Sequence, residues 1–148
     1  MSEVLSYPAA YTHTYTHSFD PKGRITVPAE WREDRFEKSL IVFPSSEKCL
    51  RVYPASWLGQ QQAEVAALKV ADPVRQALED LATSAQSTAF DAQGRIVVKA
   101  HLREGAGLGT KVIFVGRNDH FQIWSEAEWQ KKVSKPVTFE DTFARIGR

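Results

Sequence analysis

The chain has 148 residues, 43% hydrophobic and 25% charged, which allows one ordinary domain or two very small ones around a packed core. No stretch approaches the roughly 18 apolar residues of a membrane span, and the first residues lack a basic region followed by an apolar run, so secretion is not expected. Cys49 is the only cysteine, which excludes an internal disulfide and a cysteine-rich zinc site, and a net charge of +1 does not announce a nucleic-acid binder.

Residues 1–10 read as a leader. The alternation Thr12-His13-Thr14-Tyr15-Thr16-His17 predicts a strand over about 12–19 with His13, Tyr15 and His17 on one face. A metal would need a third ligand there, and neither Cys49 nor an acidic cluster pairs with them, so no metal or cofactor is expected. Asp20-Pro21-Lys22-Gly23 suits a type I turn with a glycine bulge: Asp accepts backbone N–H bonds, Pro presets φ and Gly supplies positive φ. A strand over 24–28 follows, and Pro28 opens a short helix through about Arg35. Two strands, Leu40–Phe43 and Cys49–Tyr53, then flank the polar turn Ser45-Ser46-Glu47-Lys48.

Trp57, Leu58, Val65 and Leu68 keep near-helical spacing, and Asp72-Pro73 caps a second helix carrying Val74, Leu78 and Leu81 on one face. Strands are expected at 85–91, 95–99, 111–115 and 120–124, with a short helix near 100–105. Ser125-Glu126-Ala127-Glu128 is a capping box opening a helix to about Val133. Residues 134–148 read either as a frayed tail or as a short helix docking Phe139, Phe143 and Ile146 on a neighbour.

These elements fall into an internal repeat. Ser18–Arg32 aligns with Ala89–Arg103 at an offset of 71, with eight of fifteen positions identical, where composition gives about one by chance. Ile41-Val42-Phe43 then falls on Val112-Ile113-Phe114, and Leu50-Arg51-Val52-Tyr53 on Phe121-Gln122-Ile123-Trp124. The expected organisation is a first repeat over 11–57, a helical spacer over 58–84, a second repeat over 85–132 and a tail over 133–148.

Catalytic signatures do not emerge. Gly105-Ala106-Gly107-Leu108-Gly109 follows a helix and lacks the strand, helix and acidic partner of a dinucleotide site, so it reads as helix termination. No nucleophile elbow, triad order or paired-carboxylate pattern stands out, and an enzyme is not expected. The chemistry lies instead in the repeated turn. An arginine just after a turn, Arg24 or Arg95, can fork onto guanine O6/N7 in the major groove or clamp a phosphate. Lys22 at the tip suits phosphate, Gln93 holds the matching position, and His17, three residues before the turn, is a further candidate DNA contact. Asp20, Asp91, Gly23 and Gly94 are read as shaping the turns, the aspartates also orienting the arginines.

The paired turns Asp20-Pro21-Lys22-Gly23-Arg24 and Asp91-Ala92-Gln93-Gly94-Arg95 resemble the two signature motifs of the MraZ family. So do Ile25–Arg32, Val52-Tyr53-Pro54, Ile123-Trp124-Ser125 and the tryptophans Trp57 and Trp129, and the likeness covers residues 11–132. It implies an α+β, mainly β fold: a duplicated AbrB/SpoVT-like swapped-hairpin barrel with pseudo-two-fold symmetry. It further implies a cytoplasmic, nucleoid-associated regulator binding double-stranded operator DNA as a ring-shaped homo-oligomer, without a membrane or small-molecule substrate. The alternative is an antitoxin-like interaction module of the same fold, acting through the tail. The sequence departs from the family at His13, where a glycine is usual, and at Lys99, which stands where the first repeat has Pro28.

Overall fold

A computed structural model describes residues 9–133 and 135–147. The leader expected over 1–10 therefore lies outside the described residues except for Ala9 and Ala10. The first repeat contributes β1 (Thr14–Ser18), β2 (Arg24–Thr26), a 3-10 turn at Ala29–Arg32, β3 (Ser39–Pro44) and β4 (Cys49–Pro54). Helices α1 (Ala55–Val65) and α2 (Pro73–Ser84) follow. The second repeat contributes β5 (Gln86–Ala89), β6 (Arg95–Val97), α3 (Ala100–Gly105), β7 (Lys111–Gly116) and β8 (Phe121–Ser125). Helices α4 (Glu126–Lys132) and α5 (Phe139–Ile146) end the chain. The fold is α+β and mainly β, as expected.

The repeats are woven through one another. Each keeps a hairpin of its own, β3 with β4 and β7 with β8, but sends its first strand to the other repeat: β1 pairs with β7, and β5 with β3. The resulting six-stranded sheet runs β1-β7-β8-β4-β3-β5, and a separate ribbon joins β2 to β6. Every one of these pairings is antiparallel. The strands flanking each Asp-x-x-Gly turn thus pair elsewhere rather than with one another. Because β1 and β5 are the two edges of the sheet, and each leads through a turn into one ribbon strand, the ribbon bridges edge to edge. No β1–β5 pairing closes the sheet into a barrel; the two-stranded ribbon stands as a separate sheet.

Alternation along the strands explains the layers. Leu40 and Val42 of β3 and Val112 and Phe114 of β7 face a core shared with Ile25, Val27, Ile96, Val98 and Leu102. Trp31 lies at its centre, 1% exposed, stacked on Phe121 at 5.0 Å and edge-on to Tyr11, Tyr15 and Phe114. The opposite faces are also covered: Ile113, Val115, Cys49 and Trp124 pack with Trp129 of α4, and Phe43 meets Trp57 of α1. Strands buried on both sides read as continuous apolar runs, which is the pattern of Leu40–Phe43 and Val112–Val115.

Local boundaries follow from caps. The 3-10 turn stops at Arg32, short of the helix expected through Arg35, because Glu33 is extended (ψ 158°). Helix α1 starts at Ala55, ahead of the repeat–spacer boundary at 57/58, where the Glu37 carboxylate accepts bonds from both the Ser56 backbone N–H and its hydroxyl. Asp72 caps α2 through Val74 N, and Ser125 caps α4 through Glu128 N, as the sequence predicts. The tail is a helix with Phe139 and Phe143 in contact at 4.5 Å. His13 precedes β1 rather than opening it, with φ 75°, a left-handed conformation that favours glycine.

Candidate nucleic-acid interface

Each Asp-x-x-Gly-Arg turn is organised by its aspartate. Asp20 Oδ1 accepts from Lys22 N and Arg24 N, both at 2.9 Å, and Asp20 Oδ2 accepts from Arg24 Nε at 2.6 Å. Asp91 repeats this, with Gln93 N and Arg95 N at 2.9 Å and Arg95 Nε at 2.7 Å. Gly23 N and Gly94 N donate to Asp20 O and Asp91 O at 3.0 Å, and the glycines carry φ of 77° and 78°. Hydrogen bonds from the Arg24 backbone above all, then its side chain and the Lys22 backbone, outweigh desolvation and hold the Asp20 carboxyl below its ordinary value. The Arg95 backbone leads the same effect at Asp91. Both carboxylates are thus charged at neutral pH, and each offsets the arginine it orients.

The ribbon sets where those arginines point. Its register places Arg24 opposite Val97, Ile25 opposite Ile96 and Thr26 opposite Arg95. Partners across a ladder share a face. Ile25 and Ile96, 1% and 0% exposed, turn into the core, so Arg24, Thr26, Arg95 and Val97 form the outer face. Arg24 and Arg95 are diagonal neighbours on it, with Cα atoms about 7–8 Å apart by the geometry of such pairs. The two turns lie at opposite ends of the ribbon, Lys22 exposed at one tip and Gln93 at the other.

Two arginines that the sequence reading matched between repeats but gave no role brace this arrangement crosswise. Arg32 Nε donates to Val27 O at 2.8 Å, and its guanidinium lies against Gly94 of the other repeat's turn, where a Cβ would stand 2.6 Å from Cζ. Arg103 mirrors it, donating to Val98 O at 2.9 Å and lying against Gly23, where a Cβ would meet Nη2 at 3.1 Å. Backbone bonds Val27 N to Gly94 O and Val98 N to Gly23 O complete the exchange at 3.0 and 2.9 Å. The available signal was their identity at the offset of 71.

His17 lies on β1, not on the ribbon, with its ring edge-on to Phe114 at 5.4 Å. Burial, reinforced by the positive charge of Arg32, lowers its pKa, which favours the neutral imidazole. The structure thus brings Arg24 and Arg95 onto one face with Lys22 and Gln93 at its ends, and leaves His17 apart. Among the described residues no three His, Cys, Asp or Glu side chains gather into a metal-binding group, and no helix is long and apolar enough to cross a membrane.

The chain is thus a pseudo-symmetric β module whose surface strap carries two carboxylate-bonded arginines. The comparisons give the family. The model described as "MraZ protein, putative antitoxin-like" matches residues 10–80 and again 81–146, so the chain belongs to the MraZ family. A protein of Roseiflexus sp. (strain RS-1) named "Transcriptional regulator MraZ" is 35% identical over 132 residues, 88% of this chain and 92% of its own length. Proteins of the same name from Thermomicrobium roseum and Corynebacterium diphtheriae are 37% and 36% identical, each match covering 78% of this chain and 81% of the relative. The family is one of transcriptional regulators and not of enzymes.

Proposed function

We propose that this protein regulates transcription by binding double-stranded DNA through the outer face of the β2–β6 ribbon. One observation carries the reading: Arg24 and Arg95 stand on a single face, each presented by its own aspartate. The arginines approach base edges or phosphates, Lys22 adds a phosphate contact, and Asp20 and Asp91 orient. With 19 Lys and Arg against 18 Asp and Glu the chain has little surplus positive charge, so one copy grips weakly. A cytoplasmic, nucleoid-associated ring of copies on repeated operator elements multiplies that grip through effective concentration. The target consistent with the family resemblance is a division and cell-wall gene cluster, and the expected sign is repression.

The test is a gel shift with duplex DNA from upstream of the protein's own gene against scrambled duplex, over a salt series. Preferential binding that weakens with salt is expected, since each neutralised phosphate contributes a slope of about −0.9 in log K against log salt. Equal affinity for both duplexes would overturn sequence-specific recognition, and a monodisperse monomer in light scattering would overturn the ring.

A second reading, an antitoxin-like interaction module, is favoured by α5, whose Phe139 and Ile146 are 69% and 55% exposed. Truncation before α5 separates the two. Unchanged DNA binding assigns the tail to another partner, and lost binding ties it to the DNA-bound assembly.

A further inference from the structure

We propose that Gln93 is a positioning residue that makes the two ribbon arginines unequal DNA contacts, with Arg95 fixed for base reading and Arg24 with Lys22 set for gripping phosphate. The inference rests on the DNA-binding reading above and deepens it.

The two turns share the same hydrogen-bond geometry. Aspartate-to-arginine distances are 2.6 and 2.7 Å, the paired backbone bonds all lie at 2.9 Å, and the glycine φ angles agree within a degree. They differ at two positions, Pro21 against Ala92 and Lys22 against Gln93, and only the second pair has a side chain placed to act on the arginine. Gln93 Oε1 accepts a hydrogen bond from Arg95 Nη2 at 2.7 Å, whereas its counterpart Lys22 bears an ammonium group, which has donors and no acceptor. Arg95 is therefore held at two points, Nε by Asp91 and Nη2 by Gln93, which fixes the plane of the guanidinium. Among the described residues the Arg24 side chain is held at Nε alone, and it has a second cation two residues away.

These two states suit different tasks. A fork onto guanine O6 and N7 needs a guanidinium plane set in advance, because both bonds must form together. Among the described residues Arg95 Nη1 carries no hydrogen bond and Nη2 carries one, to Gln93, so Nη1 and the second N–H of Nη2 remain available to a base. A phosphate oxygen accepts a charge from many directions, and the Lys22–Arg24 end supplies two mobile donors. The ribbon has pseudo-two-fold symmetry in its backbone and none in its chemistry. Its ligand is then a duplex element carrying a specified G·C pair at the end under Arg95 and no matching requirement at the other.

The test selects preferred sequences from a duplex library with a randomised core, using the full-length protein and single variants, with thermal melting as the folding control. Wild type is expected to select a G·C pair at one end of its element. Gln93→Leu loses about tenfold in preference at that pair. Gln93→Glu retains the preference, because its carboxylate accepts the same Nη2 bond. Lys22→Gln gains a preference at the opposite end by supplying the missing acceptor. Wild-type preference in Gln93→Leu, or its equal loss in Gln93→Glu, would overturn the positioning role while leaving the DNA reading intact. Failure of the wild type to bind duplex DNA would sink the DNA reading and this inference with it, and binding without any sequence preference would overturn this inference alone.

Discussion

Within each turn, glycine and aspartate answer separate local demands, which is why both were legible in the sequence. Positive φ calls for glycine, and three N–H donors converging within four residues call for a carboxylate. The cross-braces were not legible, because Arg32 and Arg103 find their partners in the other repeat. They make the two glycines unequal. Gly23→Ala adds the strain of a left-handed residue, about 1 kcal/mol, and a tight contact at 3.1 Å with Arg103 Nη2 and Val98 O. Gly94→Ala adds the same strain and drives a methyl into Arg32, so urea titration is expected to show a larger loss for Gly94→Ala. The aspartates set an acid limit. Their folded pKa values lie below the ordinary 3.8, so their contribution is complete above that value and is lost as pH falls through the lowered folded values. Asp20→Asn with Asp91→Asn is expected to flatten the acid limb of a stability–pH profile below about pH 4.

Among elements, the ribbon shows how one repeat tolerates a change the other does not need. In the first repeat Pro28 has no N–H. In the second, Lys99 has one, and the 7% exposed Gln86 of β5 accepts it at 2.8 Å while donating to Val97 O at 2.8 Å. Gln86→Ala is expected to cost about 1–3 kcal/mol by leaving these groups unmatched. Lys99 has φ −62°, the angle of proline, so Lys99→Pro in that background should recover part of the loss in a double-mutant cycle. Strand and helix positions were readable because alternation, proline and capping residues act locally. The end of the 3-10 turn was not, since Glu33 turns extended without a breaker. Whether the tail formed a helix stayed open in the sequence, since its Phe139, Phe143 and Ile146 lie at helical spacing but lack a core to meet.

At the scale of the whole molecule, the duplication was legible from eight identities at one offset, but crosswise pairing follows from no periodicity. It came only with the family resemblance. The weave makes each half depend on the other: removing Trp31, which touches strands of both repeats, should cost about 3–5 kcal/mol as Trp31→Ala and unfold both together. A polar cluster at the β4–β8 junction adds pH dependence. His120 stacks on Tyr53 at 4.4 Å, with Asp119 Oδ1 at 2.8 Å from Nδ1 and Arg51 Nη1 at 3.3 Å from Nε2. Burial lowers its pKa despite the Asp119 bond, as burial does at His17. The fold thus favours both neutral imidazoles. Their contribution is full above the ordinary value of 6.5 and is lost as pH falls through the lowered folded values. Urea midpoints should drop on acidification below that value, and less so in His17→Gln/His120→Gln.

The outer face of the ribbon carries the functional claim, and removing its two guanidinium groups addresses it most directly. Fluorescence anisotropy on a labelled duplex from upstream of the protein's own gene, with light scattering in parallel, compares wild type with Arg24→Ala/Arg95→Ala. The double variant should keep the wild-type assembly size and lose its preference for that duplex over scrambled DNA, by about tenfold or more for each base contact removed. A double variant that binds with undiminished affinity and preference would show that DNA is read by some other surface.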